Sequence, residues 1–243
     1  MSDEIGVGNN YHSETKYHRN QTFGRRLQRA ELPETYKTYP NSETISLPKP
    51  STSGGKPIWD VLFQRRSRRD HAADPVSIDH LSQLLWATQG ITAQMGPYGL
   101  RTAPSAGALY PIETYVLINR VENLEAGIYH YNVRQHSLEL LRKGDFGAEA
   151  AKAGLNQDMI ENGALALIWT AVIARSKWKY RERAYRYIYM DAGHIGQNAY
   201  LAAEALGLGC CTVGAFFDGE VDSLVGIDGE DEISVYLCAV GMT

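Results

Sequence analysis

The segment from Ala184 to Leu206 constrains the fold most, because it carries apolar and small side chains at helical spacing over its whole length. Gly207 follows and marks the expected end of the helix. Gly193 and Gly196 would let another helix approach closely, so the segment predicts a long buried helix with a tight interface. The face expected to be buried consists of Ile188, Ala192, Ile195, Ala199, Ala202 and Leu206.

The rest of the chain mixes helical and strand-like patterns without regular βα alternation. Ser77 can cap a second helix that Gly90 can end. One face of that helix carries Leu81, Leu84, Leu85 and Thr88. Because the two kinds of element are not interleaved, the sequence predicts an α+β class. The strand-like runs are 112–118, 127–133 and 138–141 as a hairpin, 164–173, and 233–240.

Composition sets the broad class of protein. Of 243 residues, 44% are hydrophobic and 21% are charged, as in ordinary globular proteins, so neither a disordered nor a fibrous chain is expected. The net charge of −4 argues against a nucleic-acid partner, because proteins bind phosphate backbones through a surplus of Lys and Arg.

Cysteine usage and the apolar runs indicate a cytoplasmic protein. Cys210, Cys211 and Cys238 form no CxxC pair, and their odd number and apolar neighbours predict reduced, buried thiols. The first residues show no basic leader followed by an apolar stretch, so no secretory signal is expected. The longest apolar run, 164–174, is shorter than the roughly 20 residues that cross a bilayer, so no membrane span is expected.

The chain divides into two regions of different composition. Residues 1–56 are polar, rich in Tyr, Asn, Thr and Pro, and lack the periodic apolar residues of an independent core. We expect this N-terminal arm to lie on its own domain or on a partner subunit. The main domain is expected to span residues 57–243, with Pro57 suiting a first helical turn.

A cluster of arginines around a serine, Arg65-Arg66-Ser67-Arg68-Arg69, stands between two helical segments. Guanidinium groups bind phosphate oxygens bidentately, so the cluster suits a doubly charged phosphate ester. The alternative is a solvated basic helix end. The chain has no GxGxxG after a strand and no GxxxxGK[ST], so neither a dinucleotide fold nor a P-loop is supported.

Two further segments carry candidate ligand contacts. In Pro104-Ser105-Ala106-Gly107, small side chains leave backbone amides open to a flat ligand, although an ordinary Pro/Gly turn is the alternative. In Val213-Gly214, the glycine lets the backbone approach a ligand, and the nearby Phe216 and Phe217 could wall a pocket.

Lys179-Tyr180 is the candidate catalytic pair. A lysine beside a phenol can act as an acid/base pair if both side chains face a cleft, although surface Lys-Tyr pairs are common. His194 is better explained as a packed or surface histidine than as a base. The histidines are scattered without HExxH or similar spacing, so no metal site is expected.

In their order along the chain, these segments resemble the FMN-dependent nitroreductase-fold superfamily, in its SagB/ThcOx-type dehydrogenase (azoline oxidase-like) branch. The resemblance covers nearly the whole chain. The stretches that carry it are 11–16, 65–69, 84–90, 101–107, 127–131, Lys179-Tyr180, 185–187, 191–194 and 197–198.

The resemblance implies a nitroreductase-like fold, with a mostly antiparallel central sheet flanked by helices, in an intertwined homodimer with FMN at the interface. Arg65, Arg66, Ser67 and Arg69 would hold the FMN phosphate and ribityl chain. Pro104, Ser105, Ala106 and Gly107 would approach the isoalloxazine from the partner subunit. Val213 and Gly214 would lie near flavin N5, where a backbone amide can stabilise charge.

By the same resemblance, Lys179 and Tyr180 match the pair that removes a proton while hydride passes to flavin. The implied reaction converts a thiazoline or oxazoline in a modified peptide to the azole, with oxygen reoxidising the flavin. Two alternatives remain: an NAD(P)H-dependent reductase of small nitro, quinone or enone compounds, and a non-catalytic flavin-binding subunit of a peptide-modifying complex.

Two departures from the family pattern are expected to matter. Many such chains carry a basic phosphate contact after the final strand, whereas Gly241-Met242-Thr243 offers none. Phosphate binding is therefore expected to depend on the first cluster or on groups not yet identified. No peptide-recognition or cyclodehydratase region is evident, so a peptide substrate is expected to come from another protein.

Overall fold

A seven-stranded antiparallel sheet forms the centre of the protein. The computed structural model describes residues 6–20, 32–96 and 98–243. The order across the sheet is β1-β6-β5-β4-β7-β9-β8, and β2 and β3 form a separate antiparallel hairpin. The strands are β1 (Thr44–Ser46), β2 (Ile91–Met95), β3 (Tyr98–Arg101), β4 (Ile112–Ile118), β5 (Gly127–Asn132), β6 (Ser137–Lys143), β7 (Leu165–Val172), β8 (Leu208–Val213) and β9 (Glu232–Met242).

Helices cover both faces of this sheet and complete two apolar cores. One core includes buried residues of α3 and α7, and the other includes buried residues of α4, α5 and α8. This arrangement confirms the predicted α+β class and the antiparallel sheet flanked by helices. The helices are α1 (Val7–Glu14), α2 (Ile58–Gln64), α3 (Ile78–Gln89), α4 (Gly147–Ala153), α5 (Met159–Asn162), α6 (Ala174–Tyr180), α7 (Ala184–Leu206) and α8 (Asp218–Val225).

The long helix α7 has the predicted limits and ends at Gly207, whose φ of 75° is left-handed. It joins α3 through Asn198, whose Nδ2 donates to the carbonyl of Ala87 at 2.9 Å. The two glycines within α7, Gly193 and Gly196, have different surroundings. A Cβ atom at Gly196 would lie 2.7 Å from Cε1 of Tyr236, whereas one at Gly193 would meet nothing within 4 Å. Close approach at Gly196 is therefore made by an aromatic ring of β9, and Gly193 faces open space.

The second predicted helix is also confirmed. Ser77 caps α3, because its hydroxyl accepts the backbone N–H of His80 at 3.2 Å. The predicted face of Leu81, Leu84, Leu85 and Thr88 is fully buried. The prediction of reduced, buried thiols also agrees with the structure, since Cys210, Cys211 and Cys238 are buried and form no disulfide. No helix within the described ranges is long and apolar enough to cross a bilayer.

The described parts of the N-terminal arm make contacts with other elements of the same chain. Strand β1 pairs with β6 at the edge of the sheet. Earlier in the sequence, the Tyr11 hydroxyl in α1 accepts the backbone N–H of Arg186 at 2.9 Å. Lys37 donates to Tyr115 at 2.7 Å and forms an ion pair with Glu232 at 2.5 Å. These contacts fix the arm to β4, β6, β9 and the start of α7. The division at residue 57 stays a prediction.

Candidate functional site

The loop Pro104–Gly107 is clamped against α7 by a buried carboxylate. Asp191 accepts the Ser105 hydroxyl at 2.6 Å and the backbone N–H of Ala106 at 3.1 Å. The Ser105 hydroxyl in turn accepts the backbone N–H of Tyr110 at 2.9 Å. Asp191 is only 4% exposed, and burial raises the pKa of its carboxyl. The clamp fixes the loop at one end of the long helix.

Lys179 and Tyr180 converge on this loop from α6. A Cβ atom at Gly107 would lie 2.5 Å from Lys179 Nζ and 2.6 Å from the Tyr180 hydroxyl, so only glycine leaves room for both groups. Gly107 also has a φ of 67°, which favours glycine. Lys179 Nζ lies 5.3 Å from the centre of the Tyr180 ring. The polar ends of the predicted pair therefore meet at one backbone position.

Arg175 anchors the helix that carries this pair. It stands four residues before Lys179 in α6, so the two residues lie one turn apart on the same face. Its guanidinium donates to the carboxylate of Glu113, to the carbonyl of Glu34 at 2.6 Å and to the carbonyl of Tyr110 at 3.3 Å. Strand β4, the arm and the end of the 104–110 loop are thereby joined to α6.

The anchor continues into a buried row of charged groups. His130 lies between Glu113 at 3.0 Å and Glu139 at 2.8 Å and is fully buried. Burial would raise the pKa of Glu113, but Arg175, His130 and Arg101 outweigh it and hold that pKa at about 2. Burial alone would lower the pKa of His130, but the two carboxylates raise it. Basic and acidic groups therefore alternate along the row that begins at Arg175 in α6 and ends at Glu139.

The basic cluster lies along strand β8. The backbone N–H of Arg68 donates to the carbonyl of Cys210 at 3.0 Å, and the Ser67 hydroxyl lies 2.9 Å from that of Tyr200. The Arg65 guanidinium stacks 5.1 Å above the Tyr200 ring. Among the described residues, the cluster makes one ion pair, between Arg68 and Glu204 at 3.9 Å. Arg66, Ser67, Arg68 and Arg69 line an open cavity of about 750 Å³.

Val213 is the last residue of strand β8, and Gly214 follows it directly. Thr212, just before them, accepts the Tyr236 hydroxyl at 2.6 Å and donates its N–H to Tyr200 at 3.0 Å. Tyr200 thereby connects this strand end to Ser67. A Cβ atom at Gly214 would meet only the Tyr236 ring, at 3.8 Å, so the backbone there is open.

The predicted residues therefore fall into two spatial groups, and each group is attached to α7 at a different residue. Asp191 holds the group made of the 104–107 loop and the Lys-Tyr pair. Tyr200 holds the group made of the basic cluster and the end of β8. Nine residues of helix separate these two anchors, or about 13 Å at 1.5 Å per residue. Within each group, the structure brings the predicted residues together.

The sequence patterns do not predict the loop clamp formed by Asp191, nor the anchor of α6 formed by Arg175, Glu113 and His130. For Asp191 a signal was present, because it lies three residues after Ile188 on the face of α7 predicted to be buried. A carboxylate on such a face needs hydrogen-bond donors. For Arg175 and Glu113 no local signal existed, since they meet only in the folded chain.

Comparison with known proteins agrees with this fold. The family profile described as "Nitroreductase family" matches residues 62–242. A nitroreductase-family protein of Methanocaldococcus jannaschii is 40% identical over 170 residues, which cover 70% of this chain and 84% of that protein. The trifolitoxin-processing protein TfxB of Rhizobium leguminosarum bv. trifolii is 36% identical over 55% of this chain. The microcin B17-processing protein McbC of Escherichia coli is 31% identical over 53% of it.

Solved structures give the same result. A nitroreductase-family protein of Anabaena variabilis superposes with a TM-score of 0.77 and 32% identity over 95% of this chain. The E. coli microcin synthetase McbBCD complex, solved with truncated pro-MccB17 bound, superposes with a TM-score of 0.63 at 23% identity, which shows the fold alone. The chain spans 45% of the Anabaena protein, 37% of TfxB and 49% of McbC.

Proposed function

The chain belongs to the nitroreductase family, and we propose that it is an FMN-dependent oxidoreductase of the SagB/ThcOx type that oxidises an azoline in a modified peptide to an azole. The observation that carries this proposal is the convergence of Lys179 and Tyr180 on the backbone at Gly107. That arrangement places a base and a phenol beside the loop proposed to face the flavin. Similarity to two toxin-processing proteins, TfxB and McbC, supports the same branch.

The residues present fit FMN. Three guanidiniums, those of Arg66, Arg68 and Arg69, line a cavity beside the Ser67 hydroxyl, and Arg68 alone of them forms an ion pair among the described residues, which suits a phosphate dianion. Gly214 presents open backbone, as a flat ring requires for close approach. In this proposal Arg65, Arg66, Ser67 and Arg69 hold the phosphate and ribityl chain. Val213, Gly214, Pro104, Ser105, Ala106 and Gly107 would contact the isoalloxazine.

We further propose a homodimer that brings the two groups together. In one chain they are attached to points of α7 about 13 Å apart, so a second copy could supply the 104–107 loop to the basic cluster. The apolar face of α2 is open, with Trp59 77% and Phe63 81% exposed, and Gly193 on α7 faces open space. Apolar patches of this kind mark protein interfaces.

The chemistry expected of the chain's own residues is proton removal. Converting an azoline to an azole removes one hydride and one proton from the ring. Bound FMN would supply the hydride acceptor. Lys179 and Tyr180 would take the proton, because their polar ends lie together at the loop while Arg175 holds their helix in place. The Asp191 clamp would keep the loop at a fixed distance from the pair.

Substitution of the pair tests this function. Purified protein, reconstituted with FMN, is given a synthetic peptide that contains one thiazoline, and azole formation is followed by absorbance and mass. Lys179→Ala and Tyr180→Phe should each lower the rate by about 100-fold or more, as for loss of a general base, and should retain FMN. Lys177→Ala is the matched control, since Lys177 lies on the same helix, 45% exposed and paired with Glu182.

The same preparation separates the alternatives. Rapid anaerobic bleaching of the flavin by NADPH or NADH, unchanged in both variants, would favour an NAD(P)H-dependent reductase of nitro, quinone or enone compounds. Bound FMN that neither the peptide nor a nicotinamide reduces would favour a non-catalytic flavin-binding subunit. Failure to bind FMN at all would reject the proposal. Arg69→Ala should weaken FMN retention while the fold stays intact.

A further inference from the structure

A cavity of about 410 Å³ opens beside the Lys-Tyr pair, and the basic cluster contributes none of its described lining residues. Lys179 and Gly107 line it. Met95 and Tyr98 of the β2–β3 hairpin line it as well, together with residues 32–35 of the arm. Leu109 and Trp178 close it further. The proposed chemistry assigns no role to this space, although it adjoins the group that would remove the proton.

Few charged side chains in the cavity walls are available to bind a polar group. Arg175 lines it, but its guanidinium is occupied by Glu113 and by the carbonyls of Glu34 and Tyr110. Lys179 belongs to the proton-removing pair. Glu34 is exposed at the edge, where its carboxylate would repel an acidic group. The remaining lining is uncharged and, apart from the Thr35 hydroxyl and the backbone at Gly107, consists of aliphatic, aromatic and thioether side chains, so an apolar occupant gains most from entering.

Exposure points to the same kind of occupant. Met95 is 56% exposed and Tyr98 is 37% exposed, at the tip of a hairpin that lies outside the main sheet. Large apolar side chains that line an open cavity gain stability when a ligand removes them from water. The volume lies at the lower end of the range for small-molecule pockets, which suits one side chain better than a folded segment.

We propose that this cavity is a specificity subsite, which receives the aromatic or large aliphatic side chain next to the azoline in the peptide substrate. The proposal rests on the proposed function, because it takes Lys179 as the point where the ring is held. Met95, Tyr98 and Trp178 are the specificity-determining residues. A peptide with an acidic residue or glycine beside the ring is a poor substrate, since it leaves the cavity filled with water or opposes Glu34.

Paired peptides test the subsite. Two peptides with the same thiazoline are compared, one with Phe and one with Gly beside the ring, and kcat/KM is measured for each with the FMN-loaded enzyme. The wild type should prefer the Phe peptide by about tenfold or more, the discrimination that an apolar pocket gives. The double variant Met95→Ala/Tyr98→Ala should lose that preference through a raised KM for the Phe peptide.

Leu155→Ala is the control, because Leu155 is a 42% exposed apolar side chain in the connection between α4 and α5, outside the cavity. It should keep the full preference. Equal kcat/KM for the two peptides in the wild type would overturn the subsite. So would a preference that persists in the double variant when melting curves and flavin content show that this variant is folded.

A binding measurement separates failure of the subsite from failure of the proposed function. The azole forms of both peptides, which cannot be oxidised, are titrated calorimetrically against wild type and double variant. If no azoline is turned over but the Phe azole binds about tenfold more tightly than the Gly azole, only in the wild type, the reaction is wrong and the subsite stands. If turnover occurs without any binding preference, the subsite is wrong and the reaction stands.

Discussion

Arg175 and Glu113 form an ion pair in the interior of the protein, with side chains 4% and 3% exposed. The pair joins α6 to β4, and the polar ends of Lys179 and Tyr180 lie at the other end of α6. A buried guanidinium that also donates to two carbonyls fixes both the position and the rotation of its helix. The placement of the proposed catalytic pair therefore depends on residues far from it in the sequence.

Replacing Arg175 with Met should destabilise the protein and lower the azoline oxidation rate. Breaking a buried ion pair by removing one partner costs about 3 to 5 kcal/mol, and the Glu113 carboxylate would keep only its hydrogen bond to His130 and the more distant charge of Arg101. Urea unfolding measures this loss. Lys177→Met is the control on the same helix, since its pair with Glu182 is solvent-exposed and should contribute little. Equal stability of Arg175→Met and wild type would contradict the anchoring role.

The buried His130 should make stability depend on pH. Its folded pKa is raised above the ordinary value of 6.5, since Glu113 and Glu139 outweigh the effect of burial. The stabilisation it contributes is therefore fully present below pH 6.5 and is lost as the pH rises through the folded pKa. His130→Gln should lower Tm most at pH 6, and the difference from wild type should shrink at higher pH.

Melting curves across this pH range, with His80→Gln as control, check the prediction. His80 takes part in the α3 cap only through its backbone N–H, so its substitution should leave the pH dependence unchanged. A Tm difference between His130→Gln and wild type that stays constant with pH would mean that the imidazole does not change charge in this range.

Much of the fold could be predicted because its signals are local. Leu81, Leu84 and Leu85 repeat at helical spacing, and the limits of α7 follow from its apolar face and Gly207. Helix α6 has no such local signal, because its buried residues, Arg175 and Ser176, are polar. Only long-range partners make that burial favourable, and no sequence period reveals them.

The residue patterns of the candidate site can be seen in the sequence, but their arrangement cannot. Clustered arginines and a small-residue loop are visible as patterns, whereas the convergence of Lys179 and Tyr180 on Gly107 depends on how α6 packs. The Asp191 clamp joins residues 86 positions apart. Such contacts arise from tertiary packing, which a single sequence does not encode in any local spacing.

Replacing Asp191 with Ala should release the 104–107 loop. The half-buried Ser105 hydroxyl and Ala106 N–H would lose their acceptor, and a hydrogen bond to a charged group contributes roughly 1.5 to 3 kcal/mol. FMN affinity and azoline oxidation should both fall by about tenfold or more, since 1.4 kcal/mol corresponds to a factor of ten. The FMN affinity and oxidation rate of Asp191→Asn should lie between those of the wild type and Asp191→Ala, because the Asn amide oxygen can still accept one hydrogen bond.

Flavin fluorescence titration measures that affinity. Glu122→Ala is the control, because Glu122 is an exposed carboxylate in a surface connection. If Asp191→Ala binds FMN and turns over substrate like the wild type, the clamp has no part in forming the site.

Replacing Gly107 with Ala should separate the Lys-Tyr pair from the loop. The added methyl would lie 2.5 Å from Lys179 Nζ and 2.6 Å from the Tyr180 hydroxyl, and a φ of 67° strains any residue with a Cβ atom. Azoline oxidation should fall at least about tenfold, as expected when a proton acceptor is displaced, with Tm lowered by only a few degrees. Gly219→Ala in α8 is the control, since a Cβ atom there meets nothing within 4 Å. Oxidation at the wild-type rate in folded Gly107→Ala would show that proton removal does not need Lys179 and Tyr180 at this position.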